Sequence, residues 1–282
     1  LGNCDFRNNT GVVPYLYRKE CFTTMDNQRD SINILGVNID MVTMAEAQAR
    51  MAEFLKDDKP HSVFTPNSEF IHRAYKERKF KDKTPFGDLI NTGDLIIPDG
   101  IGVVYASRIL KKPLSERVAG YDLVCGTLEY MATYGGSVFL FGSKPGVAEA
   151  ATKKVAETYP GIVIAGTRDG YFEDADNAGI IAQINASGAD MVLVCLGAYK
   201  QEQWINLHKD TLCAKVLVGA GGTLDGLAGY AERAPEAWRN KGLEWLYRLK
   251  KEPKRFWRMT ALPRFALLVI FRGKRYRKQK HK

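Results

Sequence analysis

Short β-branched, apolar runs alternate along the chain with segments whose apolar residues recur every three or four positions. The runs are Ile32–Val37, Ser62–Thr65, Leu95–Ile97, Ser137–Phe141, Ile162–Ala165, Met191–Leu196 and Lys215–Val218. Between them the helical period predicts helices over Met44–Leu55, Ser68–Lys79, Gly102–Leu110, Asp122–Tyr134, Val147–Thr158 and Ala175–Ala186. Strands separated by helices form parallel βαβ units. The expected fold is therefore α/β, a Rossmann-like, doubly wound, mostly parallel sheet. Ligands of such sheets bind beyond the carboxyl ends of the strands. Five of these ends run into loops of functional residue types: Thr65-Pro66-Asn67, Pro98-Asp99-Gly100, Gly142 to Gly146, Gly197 to Glu202 and Gly219 to Asp225.

The pattern changes near residue 239. Gly242–Leu249 reads as an amphipathic helix, Pro253 interrupts it, and the aromatic-basic Phe256-Trp257-Arg258 follows. Residues 239–282 hold 16 Lys and Arg against two acids, Glu244 and Glu252, a net +14. With +9 overall, residues 1–238 carry −5. Such a segment calls for an anionic partner: a lipid surface, a nucleotide diphosphate or nucleic acid. The expected organisation is a flexible N-terminal extension (1–31), a catalytic domain (32–238) and a basic C-terminal appendage (239–282). Residues 1–24 are expected to be dispensable, with Met25 as a plausible start. No signal peptide is visible in the polar opening segment. The late apolar run Phe265–Phe271 is seven residues long, against the roughly 20 of a membrane-spanning helix. The end, Arg272–Lys282, is expected to lack order without a partner.

Composition excludes several classes. The five cysteines, Cys4, Cys21, Cys125, Cys195 and Cys213, form no CxxC pair or metal-ligand spacing; Cys195 and Cys213, in or beside apolar runs, read as buried thiols. The four histidines are scattered, and no Gly-x-Ser-x-Gly elbow appears. Asp174-Ala175-Asp176 has the form of a metal-binding DxD but opens a helix, where acids complement the dipole.

The glycine loops at 142–146 and 219–222, including Gly142, Gly221 and Gly222, can bring backbone N–H groups to a diphosphate, or can simply permit tight turns. Neither is a Walker A loop or a GxGxxG, which disfavours an NAD-dependent oxidoreductase. Asp99, one residue past an apolar strand with glycines on its helix side, can serve as general base or cap the following helix. Arg117 can grip phosphate or pair with Glu116 or Asp122. Gln201 can orient a donor or be an ordinary first-turn residue. Asp225 can bind a sugar hydroxyl or cap a helix. Arg248, Arg255 and Arg258 would lie near one face of a continuous helix, a substrate clamp or a solvated surface.

Taken in order, these motifs resemble the WecG/TagA/CpsF glycosyltransferase family. The carrying residues are Thr65-Pro66-Asn67-Ser68-Glu69, Ile97-Pro98-Asp99-Gly100-Ile101-Gly102, Glu116-Arg117-Val118-Ala119-Gly120-Tyr121-Asp122, Phe141-Gly142, Asp169-Gly170-Tyr171-Phe172, Lys200-Gln201-Glu202, Gly219 to Asp225, Arg233-Ala234-Pro235 and Gly242 to Leu249. The resemblance implies an inverting, metal-independent transfer of an N-acetylmannosamine-type sugar from a UDP-sugar. The implied acceptor is polyprenyl-diphosphate-linked GlcNAc at the cytoplasmic membrane face. It implies that Asp99 is the general base and that Thr65, Asn67, Arg117 and Gln201 line the pocket. It also implies an appendage that docks on anionic membrane, supplies Arg248, Arg255 and Arg258 to the diphosphate, and takes part in homo-oligomers. The stretch around Lys83–Phe86 is slightly long for the pattern, and Arg272–Lys282 is more basic than the motifs require. The alternative reading is a nucleotide-binding module whose basic tail grips nucleic acid. No RNA or DNA motif supports it, so no nucleic-acid partner is expected.

Overall fold

A computed structural model describes residues 29–77, 86–251, 253, 257 and 260–276. Residues 1–24 and the side chains of Arg248, Arg255 and Arg258 therefore lie outside what is described. Among the described residues are eight strands. They are β1 (Ser31–Ile34), β2 (Val37–Asp40), β3 (His61–Phe64), β4 (Leu95–Ile96), β5 (Ser137–Gly142), β6 (Val163–Arg168), β7 (Met191–Cys195) and β8 (Val216–Gly219). Six form one sheet in the order β4-β3-β8-β7-β5-β6, with every neighbouring pair parallel. The doubly wound α/β expectation holds.

The helices are α1 (Met44–Phe54), α2 (Ser68–Glu77), α3 (Phe86–Ile90), α4 (Ile101–Ile109), α5 (Gly120–Tyr134) and α6 (Val147–Thr158), then α7 (Asn177–Ser187), α8 (Lys200–His208), α9 (Thr223–Leu227), α10 (Glu236–Asn240), α11 (Glu244–Lys251) and α12 (Ala261–Tyr276). Alternation along the strands divides the core. Phe64, Phe139, Phe141, Val192, Val194 and Leu217 point to one face, which α2, α3, α4, α8 and α12 cover. Val63, Val138, Leu140, Met191, Leu193 and Val218 point to the other, under α1, α5, α6 and α9. Successive side chains of a strand face opposite ways, so a strand buried on both faces is apolar throughout.

Four local expectations change. Ile32–Val37 is not one strand but the antiparallel hairpin β1–β2, reversing at Leu35-Gly36. Asn33 explains the reversal: its Oδ1 accepts from Gly36 N–H at 3.0 Å and its Nδ2 donates to Asn38 Oδ1 at 2.8 Å. Buried Asp40 then ties the hairpin to the sheet by accepting from Ile96 N–H at 2.8 Å. Cys213 is exposed, because it falls in the loop before β8 rather than in the strand; Cys195 is buried as expected. The Phe265–Phe271 run is not wholly free for lipid: helical spacing turns Phe265 and Val269 into the core and leaves Leu267, Ile270 and Phe271 exposed. Order also extends past Arg272, since α12 continues to Tyr276.

Candidate functional site

The loops after β3, β4, β5, β7 and β8 meet at the carboxyl edge of the sheet and line one cavity of about 3650 Å³. That volume also takes in open grooves that reach Thr133 and Thr158 at the far ends of α5 and α6, beyond the loops themselves. Thr65, Asn67, Asp99, Arg117, Gln201, Gly221, Gly222 and Asp225 all line it. Gly142 does not.

Asp99 is half-buried. Its N–H donates to Ile97 O at 3.0 Å, and the neighbouring Pro98 O accepts from Val118 N–H at 3.1 Å. That bond draws the Arg117 loop beside the aspartate. The cap position of α4 is Gly100, which provides no side-chain cap. Asn67 sits across from Gly100, whose added Cβ would lie 3.5 Å from that of Asn67. The Asn67 Oδ1 accepts from Glu69 N–H (2.9 Å) and Phe70 N–H (3.2 Å), so it caps α2. Thr65 donates its hydroxyl to Gly219 O at 3.1 Å and ties the ends of β3 and β8 together.

Arg117 pairs with neither Glu116 nor Asp122. Its guanidinium donates to Glu244 Oε2 at 2.9 Å, fastening the first turn of α11 over the cavity. Glu116 instead accepts from Met44 N–H, and Asp122 accepts from Arg233. Gln201 is fully buried and bridges two groups. It donates to Glu202 Oε1 at 2.7 Å and accepts from Gly221 N–H at 2.9 Å. Glu202 also accepts from Tyr199 N–H at 2.7 Å. Burial pushes the Glu202 carboxyl up to about 7, against these hydrogen bonds and the nearby Arg73, which favour its charged form.

The two glycine loops differ. Gly142 has φ +121°, and a Cβ there would lie 2.4 Å from the Cys195 carbonyl oxygen. The glycine permits close passage of β5 beside β7; Ser143 and Lys144, not Gly142, face the cavity. At Gly221 and Gly222 an added Cβ would meet nothing within 4 Å. Asp225 lies within α9 rather than at its cap and accepts from Ser143 Oγ at 3.2 and 3.3 Å. Asp176 closes the short 3-10 turn Asp174–Asp176 by accepting from Glu173 N–H at 2.9 Å, the helix-opening role anticipated for the DxD.

Sequence reasoning missed some cavity residues. Arg233 lies over the Tyr121 ring with 4.8 Å to the centroid, and its Nε is buried without a protein partner, as is that of Arg239. The Arg233-Ala234-Pro235 motif held the signal, but its partner Asp122 is remote in sequence. Arg117, Arg233, Lys144 and Lys200 thus surround a cavity that also contains Asp99 and Asp225. Glu244 and Asp122 hold Arg117 and Arg233 in place there, and side chains of this type can bind a phosphate group.

Residues 32–280 match the glycosyl transferase WecG/TagA/CpsF family. A Bacillus spizizenii relative is 35% identical over 217 residues, 77% of this chain and 81% of the relative. A Staphylococcus aureus relative is 32% identical over 251 residues, 88% and 96% of the two chains. A Bacillus subtilis relative is 36% identical over 208 residues, 74% and 78%. All three carry the name N-acetylglucosaminyldiphosphoundecaprenol N-acetyl-beta-D-mannosaminyltransferase.

Proposed function

Because this chain belongs to the glycosyl transferase WecG/TagA/CpsF family, we propose that it transfers an N-acetylmannosamine-type sugar from a UDP-sugar to GlcNAc on a polyprenyl diphosphate. The transfer inverts the anomeric carbon and needs no metal ion. One observation carries the reading. Asp99 stands at the carboxyl edge of the sheet, between the Asn67 and Arg117 loops, in a cavity edged by the bare backbone of Gly222.

In this mechanism Asp99 takes the proton of the acceptor hydroxyl, and the oxygen attacks the anomeric carbon. The bond from that carbon to UDP breaks, and UDP leaves with the electron pair. Charge developing on the diphosphate is met by fixed cations and backbone dipoles. Arg117 and Arg233, which line the cavity, are proposed for this role together with Arg248, Arg255 and Arg258. Gly142 acts through packing rather than contact, and Gln201 holds the Gly221 loop for the donor. Thr65 and Asn67 orient sugar hydroxyls from their places at the strand end and helix cap.

We further propose peripheral attachment to the inner face of the cell membrane. No helix of the described residues is long and apolar enough to cross a membrane. Exposed Leu267 and Phe271 of α12 stand with exposed Arg264, Arg272 and Arg275, a face suited to anionic lipid. Homo-oligomer formation, which the family resemblance implies, is part of the same proposal.

The test is turnover of a panel of UDP-sugars with a lipid-diphosphate-GlcNAc, with and without EDTA. UDP-N-acetylmannosamine should be used and EDTA should have no effect; complete loss in EDTA would overturn the metal-free mechanism. Asp99→Asn should reduce kcat by at least about a thousandfold while circular dichroism and melting stay unchanged. Near-wild-type turnover by that variant refutes the base assignment.

A further inference from the structure

The cavity does not stop at the polar loops. It continues between α4 and α12, where its lining becomes apolar. Asp99 lies two residues before α4, and Ile101, Tyr105 and Ile109 follow at four-residue spacing, which puts them on one face of that helix. That face is about 12 Å long at 1.5 Å per residue. Opposite it, α12 contributes Leu262 and Ala266 as a wall, with Phe265 and Val269 buried as the floor. Gly273 closes the far end of the helix pair, lying so near Leu110 that an added Cβ would sit 2.6 Å from its Cδ2.

Tyr105 and Ile109 are 51% and 43% exposed, large apolar side chains that the protein leaves open beside its own catalytic cavity. A sugar nucleotide offers only a uracil ring and an acetamido methyl, too little to cover a face about 12 Å long. We propose that the crevice between α4 and α12 is a subsite for the first isoprene units of the acceptor. It would run from the diphosphate near Arg117 to the membrane end of α12.

This inference rests on the acceptor class proposed above. Three observations select the hydrocarbon chain as occupant. The crevice is continuous with the polar cavity, so a chain entering it remains tethered to a diphosphate at the arginines. It begins beside the proposed base. Its far end is flanked by exposed Arg108 of α4, Lys111 in the turn after it, and Arg272 and Arg275 of α12, cations that suit the anionic headgroups from which the chain emerges. Withdrawing hydrocarbon from water supplies the affinity. The crevice would thereby make the enzyme sensitive to acceptor chain length, apart from any recognition of the sugar.

The experiment compares two acceptors, GlcNAc-diphosphate on a long polyprenyl chain and the same headgroup on a two-carbon alkyl chain, both in detergent. The full chain is assayed as wild type, Ala266→Trp and Tyr105→Arg. Both substituted positions are exposed, and melting temperature checks their folding; the two variants alter opposite walls independently. The wild type should prefer the long acceptor in kcat/KM by at least about a hundredfold, and each variant should cut that preference by about tenfold. Equal effects of a variant on both acceptors, or a wild type indifferent to chain length, would overturn the subsite. A changed sedimentation coefficient with an unchanged preference would instead mark the crevice as a contact between copies, and also overturn it. No transfer by the wild type to either acceptor would sink the acceptor reading itself, and the subsite with it.

Discussion

The turns after β5 and β8 look alike in sequence, glycine-rich and followed by a helix, yet the fold uses them in opposite ways. Gly142 is crowded: its φ of +121° and the Cys195 carbonyl beside it exclude any side chain. Gly222 is open: its φ of −82° suits any residue, and nothing lies within 4 Å of an added Cβ. The first glycine serves packing between neighbouring strands. The second keeps backbone bare at the edge of the cavity. A glycine that sterics do not require, at a cavity edge, is the better pointer to a ligand.

That contrast can be broken experimentally. The largest effect is expected at Gly142→Ala. Positive φ and a backbone clash together should cost on the order of 3 kcal/mol or more, enough to lower expression of folded protein. Urea unfolding measures it, and a loss below about 1 kcal/mol would mean that the β5–β7 junction can yield.

Next is the support under the β8 turn, where Gln201 joins Glu202 to Gly221. Folding raises the Glu202 carboxyl from 4.5 to about 7. Between those pH values the folded protein holds a proton that the unfolded chain has released. The group's contribution to stability therefore worsens as pH rises through that window and is at its least favourable above about 7. Glu202→Gln removes this titration. The stability of wild type minus variant should fall between pH 4.5 and 8, by on the order of 3 kcal/mol. Urea midpoints at several pH values test it; a pH-independent difference would show that Glu202 ionises normally.

The smallest effect on stability, and the most informative for function, is expected at Gly222→Ala. Stability should stay within about 1 kcal/mol, while kcat/KM for the UDP-sugar falls about tenfold, equivalent to about 1.4 kcal/mol. Unchanged kinetics would remove Gly222 from the donor site.

Much of the scaffold was legible because its signal is local. The apolar run Met191–Leu196 read as a strand and is one over Met191–Cys195, and Val147–Thr158 shows a helical period that the structure reproduces residue for residue. The β1–β2 hairpin was not legible as two strands, since Leu35 is as apolar as its neighbours and hides the turn. At the site, Asp99 and its companions could be found from the loops after the strands. Arg233 stood in a motif, but its place in the cavity was hidden because its partner Asp122 is 111 residues away.

The sequence by itself determined the alternation of strands and helices, the loops that carry chemistry, the charge imbalance of the last segment and, through ordered motifs, the family. These follow from local periodicity and from residue types at fixed spacing. Only the tertiary structure decided that Arg117 holds Glu244, 127 residues away, and that Thr65 ties two strand ends together across 154 residues. It also decided that α12 buries Phe265 and Val269 while exposing Leu267 and Phe271. A polar side chain or a helix face takes its partner from whatever the fold brings near it, and short-range pattern does not encode that proximity.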